Sequence, residues 1–391
     1  MAAVELPEPV DAAVEEVLLH FPPDDPTSLL RAALVCKSWS RVVSNPGFRR
    51  RYAERHHAAP ALGFICNLAT VHGGASAAHF VATSPSSFRP PRAAVHPHMR
   101  ALDARHGRVL LLHDPPMKQV TSSVSVVRLV VWDPIADEHW ELPAPPMAMH
   151  PSCWNAAVVC AAAGCDHLVC PLRGPFKVVV VGVRPDRTHM YSCVYSSEPG
   201  GAWSRKQTAP STLGPHCCFK LKPSALVRNA LHFVFRSQRR TSRILRYDLA
   251  TKEMSAIELP CSAYYLPRGC LVTTKDGRLG FVEVGLDDKL YLWSSRVDGL
   301  GRIAGWRQSS RAINVKALLP AKTKIYAGLR GEVGFAGGVG IILVMTAFEN
   351  FLIDLKSNQA RKLAEDHWVQ PLHEKGIKRA HKMLHKLNVL M

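Results

Sequence analysis

The chain has 391 residues, of which 47% are hydrophobic and 20% charged, and its 49 Lys and Arg against 31 Asp and Glu give a net charge of +18. This length accommodates two or three domains with a sizeable core, and this composition excludes a chain that is disordered throughout. No apolar run reaches the roughly 20 residues that a membrane-spanning helix needs, and the N-terminus carries acids where a secretory signal carries bases. The 11 cysteines have no regular spacing, which is typical of a reducing compartment. We therefore expect a soluble protein of the cytoplasm and/or nucleus, whose positive charge favours acidic partners.

Composition divides the chain into three segments, 1–60, 61–372 and 373–391. The first holds eight acids and seven bases and has helical spacing of its apolar residues. Residues 61–374 hold 37 bases and 23 acids and are rich in Val, Gly and Pro, whereas residues 375–391 hold five Lys or Arg and no acid. We predict a helical domain, a domain of short strands and a basic tail, in that order.

The first segment is predicted to form three short helices. The first helix is indicated by four apolar residues at positions i, i+3, i+4 and i+7, namely Val14, Val17, Leu18 and Phe21. The pair Pro22–Pro23 ends this helix, and Asp25 with Pro26 supplies an N-cap and a first residue for the second. A third helix around Trp39 ends at Asn45. Three such helices bury little surface, so an open apolar face on them favours docking onto a partner; a helical cap on the following domain is the alternative.

The residues of this segment resemble a known family. The string LLRAALVCKSW (29–39), which follows FPPDD (21–25) and Leu6-Pro7, is similar to an F-box of the plant type, and the resemblance covers most of 6–56. One departure is the stretch 8–12, which places more residues between Leu6-Pro7 and the first helix than family members usually have. The resemblance implies docking to the Skp-type adaptor of SCF (cullin–RING) ubiquitin ligases, with apolar anchors of amphipathic helices entering a groove. The residues that would form this adaptor interface are Leu6, Pro7, Val14, Val17, Leu18, Leu29, Leu30, Val35, Cys36 and Trp39.

The middle segment is predicted to consist of short strands. The clearest strand runs are 108–112, 126–132, 177–183, 230–235, 243–247, 278–284, 289–293 and 340–345. A weak repeat of an apolar strand, an Asp and a polar stretch occurs at 130–143, 245–260 and 351–365. The carboxylates of these three residues, Asp133, Asp248 and Asp354, suit the start of a tight turn because they can accept backbone N–H bonds. Each repeat is therefore predicted to be a hairpin.

The spacing of these hairpins favours a β-propeller. At about 40–50 residues per blade, residues 61–372 hold roughly six or seven blades, and a sandwich-like or irregular β domain is the alternative. The repeats also resemble the F-box-associated β domains of plant proteins, including kelch-like ones, although the chain has no full kelch double-Gly or WD signature. The predicted fold class is α+β multidomain: a small all-α F-box of three helices, an all-β propeller-like domain and a short C-terminal helix. That basic amphipathic helix is indicated by the apolar seam Ile377, Ala380, Leu384, Leu387 and Met391.

Five soft metal ligands lie within 18 residues of the strand-rich segment, namely Cys153, Cys160, Cys165, His167 and Cys170. Structural zinc usually uses closer pairs such as C-x₂₋₄-C. We therefore interpret these residues as buried thiols of an apolar hairpin and predict no metal site. A P-loop and a dinucleotide-binding loop are both missing from the sequence, so no cofactor is predicted.

Two other features bear on enzymatic and nucleic-acid functions. The stretch SSEPGGAW (196–203), with Glu198 at the acid position, approximates the Asp-box turn of sialidase-type propellers and indicates a hairpin. A glycosidase would need a pair of carboxylates at a fixed separation, and the sequence assigns no such pair. Basic clusters at 49–51, 236–243 and 322–324 lack the interleaved aromatic residues and the module signature of a nucleic-acid-binding protein.

These features together favour a non-catalytic substrate-recognition subunit of an SCF-type ubiquitin ligase. The F-box would bind the Skp-type adaptor, and through it cullin, while the β domain recruits a protein target whose binding residues the sequence does not assign. Two alternatives come from other classes: an adaptor-independent protein- or nucleic-acid-binding propeller scaffold, and a propeller hydrolase.

Overall fold

The computed structural model describes residues 9–22, 26–56, 63–69, 76–82, 95–114, 127–134, 136–146, 153–165, 167, 170, 174–184, 188–198, 200–210, 218–219, 222–236, 242–260, 269–274, 276–285, 287, 289–299, 302–310, 312–319, 333–336, 341–345, 350–354, 359–362 and 389–390. None of the helices within these ranges has the length and apolar character needed to cross a membrane.

Four helices form the N-terminal unit. They are α1 (Pro9–Leu19), α2 (Pro26–Val35), α3 (Lys37–Ser44) and α4 (Pro46–His56). Pro26 is the first residue of α2, as predicted, whereas its predicted cap Asp25 lies outside the described residues. The sequence pattern did not predict α4, because Asn45-Pro46 was interpreted only as a stop. The side chain of Asn45 also caps the next helix by accepting the Gly47 N–H at 2.7 Å, and a proline fits the first helical position.

The described strands form six antiparallel sheets. In spatial order, the first sheet contains β27 (Val389–Leu390), β1 (Gly63–Ala69), β2 (Ser76–Ala82) and β3 (Val95–Pro97). The second contains β4 (Met99–Arg105), β5 (Arg108–His113), β6 (Leu129–Asp133) and β7 (Glu138–Glu141). The third contains β8 (Trp154–Cys160), β9 (Phe176–Val183), β10 (His189–Ser196) and, both paired with β10, β11 (Ala202–Trp203) and β12 (Gln207–Pro210).

The remaining three sheets repeat this plan. The fourth contains β13 (Cys218–Phe219) and β14 (Ala225–Val227), both paired with β15 (Ala230–Arg236), then β16 (Ser242–Asp248) and β17 (Met254–Glu258). The fifth contains β18 (Gly269–Thr273), β19 (Leu279–Val284), β20 (Lys289–Val297) and, both paired with β20, β21 (Ile303–Gln308) and β22 (Ile313–Asn314), which leads into the short helix α5 (Val315–Leu318). The sixth contains β23 (Val333–Ala336), β24 (Ile341–Met345), β25 (Asn350–Asp354) and β26 (Gln359–Lys362).

The six sheets form the blades of a closed ring. The first strand of each sheet contacts the first strand of the next: β27 contacts β4, β4 contacts β8, β8 contacts β13, β14 contacts β18, and β18 contacts β23. The contact between β23 and β27 closes the circle. This arrangement is a six-bladed β-propeller, within the predicted range of six or seven blades, and it differs from the alternative of a sandwich.

The apolar runs of the sequence lie between neighbouring blades. Every residue of β8 is buried, as are all but one of the residues of β9. One side of these strands packs against the second blade around Leu110 and Val131, and the other side against the fourth blade around Phe233 and Leu245. Because both faces of such strands are covered, their sequences are apolar runs, interrupted only by Asn155 and Lys177, and do not alternate with polar residues.

The three predicted hairpins are present and occupy equivalent places in the ring. They are the outer strand pairs of the second, fourth and sixth blades, β6–β7, β16–β17 and β25–β26. Oδ1 of Asp133 accepts the Ala136 N–H at 3.1 Å, and Oδ1 of Asp248 accepts the N–H groups of Ala250 and Thr251 at 2.9 and 3.1 Å. The carboxylates thus begin the turns as their position predicted, while Asp354 ends β25 and its side chain lies outside the described residues.

The predicted C-terminal helix needs a correction at its end. Residues 363–388 lie outside the described residues, but Val389 and Leu390 form a strand, not a helix, and pair with Cys66 and Ile65 of β1. The residues form a strand despite their helical periodicity, because β1 would otherwise present an unpaired edge on the inner side of the first blade.

Candidate functional site

The helical unit has its own small core. Leu18, Leu19, Ala32 and Phe48 are buried, and seven partly buried side chains pack against them: Val14, Phe21, Leu29, Trp39, Val42, Val43 and Tyr52. Two polar contacts hold α4 to the end of α1, since the Tyr52 hydroxyl donates to the Phe21 carbonyl at 2.9 Å and Nε2 of His56 lies 3.0 Å from the Leu19 carbonyl oxygen. The helices are therefore packed in a fixed arrangement, which determines which side chains lie at the surface of the unit.

The residues predicted to bind an adaptor fall into three groups in this unit. Val14, Leu29 and Trp39 are partly buried and pack on the core, and Leu18 is wholly buried. Leu18 therefore supports the unit from inside and offers no exposed surface to a partner. Val17, Val35 and Cys36 are exposed, with 57% of Val17 and 66% of Val35 accessible to solvent. Leu6 and Pro7 lie outside the described residues, as does the side chain of Leu30, although its backbone belongs to α2.

One exposed residue was missing from the predicted interface. Leu34 is 85% exposed and lies next to Val35 in the last turn of α2. Its helical spacing of four from Leu30 places both on one side of the helix, and this signal could have identified it. Among the described residues four large hydrophobic side chains are exposed, Val17, Leu34, Val35 and Val297, and the first three belong to the helical unit.

The basic cluster 49–51 makes contacts within the helical unit. Arg50 pairs with Glu54 at 3.0 Å on α4, and Arg51 pairs with Glu15 of α1. Arg55, one turn further along α4, pairs with Glu16 of α1 at 3.0 Å. Each of these exposed pairs contributes little stability. They show that Arg50, Arg51 and Arg55 form ion pairs with acidic side chains of the same unit. Of the other predicted basic clusters, 237–240 and 322–324 lie outside the described residues.

Polar side chains connect neighbouring blades at their inner strands. The amide of Asn67 on β1 pairs with the backbone of Ala101 on β4, donating to its carbonyl at 2.8 Å and accepting its N–H at 2.7 Å. Nδ2 of Asn155 on β8 donates to the Lys222 carbonyl at 3.0 Å, and Nζ of Lys222 donates to the Gly269 carbonyl on β18 at 2.9 Å. Each bond joins one blade to the next, because buried polar groups at this position need partners.

The two buried carboxylates of the described residues both make structural bonds. Asp103 accepts two bonds from Arg105, at 2.9 and 2.8 Å, and one from the Val158 N–H at 3.0 Å. Burial raises the pKa of Asp103, and these bonds with Arg105 and Val158 act in the opposite direction. Asp133 caps its hairpin turn. The exposed Glu198 lies in the predicted hairpin turn between β10 and β11, where its carbonyl oxygen, not its side chain, accepts the Gly201 N–H.

The cysteine- and histidine-rich segment follows β8. Cys160 is the last residue of β8, and Cys165, His167 and Cys170 lie in the loop that leads to β9. One ligand atom from each of these four residues lies within 4.8 Å of the others. The sequence spacing was interpreted as too wide for such a group, but the loop folds back on itself. Cys153 is buried at the other end of β8 and does not belong to this group.

Comparison with known families identifies both parts of the chain. Residues 6–51 match the F-box domain, and residues 82–320 match the family described as F-box protein At3g26010-like, beta-propeller. The second match covers more than half of the chain. The protein is thus an F-box protein with a C-terminal β-propeller and belongs to this family, which confirms the resemblance seen in the sequence.

More distant comparisons show only a general likeness of fold. A GH93 α-L-arabinofuranosidase of Fusarium graminearum is 13% identical with a TM-score of 0.37, over 68% of this chain and 79% of that chain. An α-L-arabinanase of Penicillium chrysogenum is 10% identical with a TM-score of 0.38, over 68% and 80%. The SapL1 lectin is 10% identical with a TM-score of 0.37, over 74% and 87%. These scores carry no argument about function, and no curated protein matches the chain significantly in sequence.

Proposed function

We propose that this protein is the substrate-recognition subunit of an SCF-type cullin–RING ubiquitin ligase. The helical unit binds a Skp-type adaptor, and the propeller recruits a protein target for ubiquitination. The observation that carries the proposal is the F-box match of residues 6–51, within which Val17 of α1 and the adjacent Leu34 and Val35 of α2 are exposed apolar side chains. F-box domains generally bind Skp-type adaptors, and the adjacent exposed side chains of Leu34 and Val35 offer apolar anchors for such a partner.

The proposed role requires no chemistry from this chain. Two binding sites on one chain raise the effective concentration of a target near the catalytic subunits of the ligase. The bonds of Asp103 with Arg105 and Val158 support a structural role for the most buried carboxylate of the described residues. Loops on a rigid ring suit a receptor, because they can vary while the blades stay fixed. The net charge of +18 favours an acidic target, and such a ligase would act in the cytoplasm and/or nucleus.

Capture by a Skp-type adaptor tests the proposal. The full chain is co-expressed with the adaptor and purified through a tag on the chain, and the adaptor recovered with wild type is compared with that recovered with Leu34→Gln/Val35→Gln. Glutamine keeps helix propensity, while losing the burial of two apolar side chains should weaken binding by roughly 100-fold. Val297→Gln is the matched control, since Val297 is an exposed apolar residue of the propeller, and it should bind like wild type.

The outcomes separate the proposal from its main alternative. Equal recovery with wild type and the α2 variant would show that this surface is not the adaptor interface. If folded wild type does not bind the adaptor but is retained on polyanions in a salt-sensitive manner, the adaptor-independent scaffold takes its place.

A further inference from the structure

The loop between β8 and β9 brings together the ligand types that zinc prefers. It offers three thiols and one imidazole, from Cys160, Cys165, Cys170 and His167, within a segment of eleven residues. Cys₃His is one of the usual ligand sets of structural zinc, and four protein ligands leave no open position for a substrate. The chemistry of the donor set therefore indicates a structural centre and not a catalytic one.

The distances within the group fit a tetrahedral ion. Ligand atoms at zinc-bond distances of about 2.0–2.3 Å from a tetrahedral centre lie about 3.5–3.8 Å from each other. Sγ of Cys165 lies 3.8 Å from Sγ of Cys170, and Nδ1 of His167 lies 3.7 Å from the same sulfur. All four ligand atoms lie within 4.8 Å of one another. Two of these separations thus match tetrahedral zinc ligation, and all four ligand atoms lie close enough together to reach one ion.

The backbone of the loop is bent in two places that bring the ligands together. Gly164 has a φ of 66° and His167 a φ of 64°. The first bend falls at a glycine, where it is easily accommodated, but the left-handed conformation costs a residue with a side chain about 1–2 kcal/mol. A bond from the His167 ring to a metal would offset this cost. A hydrogen bond from the Ala161 N–H to the Pro175 carbonyl, at 2.8 Å, closes the base of the loop.

The neighbouring blade supports the same group. The ring of His106, in the turn between β4 and β5, stacks on the ring of His167 with centroids 4.4 Å apart, and its Nδ1 accepts the Cys160 N–H at 3.1 Å. Arg108 of β5 donates to the carbonyl oxygens of His106 and Gly174. These contacts fix the orientation of one ligand ring and both ends of the loop, as neighbours of metal ligands typically do.

We propose that Cys160, Cys165, His167 and Cys170 bind one structural Zn²⁺ ion that fixes the β8–β9 loop against the second blade. A disulfide is the competing use of two of these thiols, but it needs sulfurs about 2.05 Å apart. The sulfurs of Cys165 and Cys170 are well beyond that distance, and a bond between them would leave Cys160 and His167 without a role. This zinc site concerns the β8–β9 loop alone and does not depend on the adaptor-binding proposal.

Metal analysis of the purified full chain tests the site. Wild type purified with a reductant should retain about one zinc ion per chain, measured by elemental mass spectrometry. Cys165→Ser/Cys170→Ser should reduce the zinc content by roughly tenfold or more, because two of four ligands are lost. Cys36→Ser is the matched control, since Cys36 is an exposed thiol of the helical unit, and its zinc content should equal that of wild type.

X-ray absorption at the zinc edge of wild type keeps the test independent of variant folding. A shell of three sulfurs and one nitrogen supports the site even if the double variant fails to fold. Folded wild type without zinc, zinc retained at the wild-type level in the folded double variant, or a coordination shell of oxygens only would each overturn the proposal. A Cys165–Cys170 disulfide found by peptide mass spectrometry in the purified chain would overturn it as well.

Discussion

Arg105 and Ser224, which belong to different blades of the ring, are joined by two hydrogen bonds. Nη2 of Arg105 donates to both the carbonyl oxygen and Oγ of Ser224, each at 2.7 Å. Ser224 precedes β14 of the fourth blade, and Arg105 ends β4 of the second. The same guanidinium group pairs with the buried carboxylate of Asp103, which in turn accepts the Val158 N–H of the third blade. One ion pair therefore ties three consecutive blades together.

Removing Arg105 should destabilise the propeller strongly. Arg105→Met leaves the carboxylate of Asp103, 1% exposed, buried without its cation, which costs about 3–5 kcal/mol of the free energy of unfolding. Asp103→Asn/Arg105→Met should cost less than Arg105→Met alone, because no unpaired charge remains. Denaturant unfolding followed by near-UV circular dichroism measures both. The control is Arg278→Met, which removes the exposed pair with Asp276 and should change the free energy of unfolding by less than about 1 kcal/mol. If Arg105→Met cost as little as this control, the prediction would be contradicted.

Gly269 should not tolerate a methyl group. It lies on β18, where an added Cβ would overlap the backbone carbonyl oxygen of Val282 and the ring of Phe281 on the neighbouring strand. Because a backbone atom cannot move aside as a side chain can, Gly269→Ala should lower the free energy of unfolding by about 1–3 kcal/mol or more. Gly299→Ala is the matched control, since a Cβ at Gly299 would meet nothing within 4 Å. Thermal melting of the two variants should therefore differ, and equal melting temperatures would count against the close approach.

His232 should make the propeller sensitive to acid. Burial lowers the pKa of His232 to about 4 from its ordinary value of 6.5, and Arg246 on the paired strand acts in the same direction. Between these pH values the unfolded chain binds more protons than the folded chain. The stability that the neutral, buried His232 contributes to the fold is therefore fully present above about pH 6.5 and is lost as the pH falls toward about 4. Within that window the free energy of unfolding changes by about 1.4 kcal/mol per pH unit.

The variant His232→Leu isolates this contribution. Burial also lowers the pKa of His96 to about 4 and that of His106 to about 3, so the pH dependence of stability should become shallower in the variant without vanishing. Denaturant midpoints at pH 5 and pH 7 measure the change, and the midpoints at pH 7 and pH 8 serve as the reference because His232 is mostly neutral there in both states. An unchanged difference between pH 5 and pH 7 would show that His232 does not titrate as expected.

Loss of the C-terminal strand should open the ring. A chain that ends at Asn388 lacks β27, and β1 then loses the pairing of Ile65 and Cys66 with Leu390 and Val389. We expect a lower melting temperature and more aggregation, because an unpaired strand edge recruits other chains. A chain that lacks only Met391 keeps both paired residues and is the control. Size-exclusion chromatography and melting curves that do not distinguish the two truncations would contradict this role of β27.

Much of the propeller could be predicted because blade strands carry strong local signals. Runs such as 178–183 are apolar throughout, since both faces of their strands are covered, and Asp133 and Asp248 mark the turns that they cap. The inter-blade bonds had no such signal, because Asn155 and Lys222 are distant in sequence and meet only when the ring is formed.

The candidate sites too could be predicted only in part from the sequence. Helical periodicity assigned Val17 and Leu18 to one face, but packing against α3 and α4 decides that Leu18 is buried while Val17 is exposed. Residue spacing predicted no metal site at 160–170, and a count of intervening residues does not show that ligand atoms of Cys160, Cys165, His167 and Cys170 lie within 4.8 Å of one another. The exposure of Val17 and the closeness of the four ligand atoms both depend on three-dimensional contacts, which the residue pattern does not specify.

The pairing of β27 with β1 also sets the order in which the ring can be completed on the ribosome. The other strands of the first blade are synthesised before those of the five remaining blades, yet the innermost strand of the first blade is made after all of them. Until then the inner edge of β1 is unpaired and open to pairing with other chains. A messenger truncated anywhere upstream of Val389 would therefore encode a chain that leaves this edge of β1 unpaired.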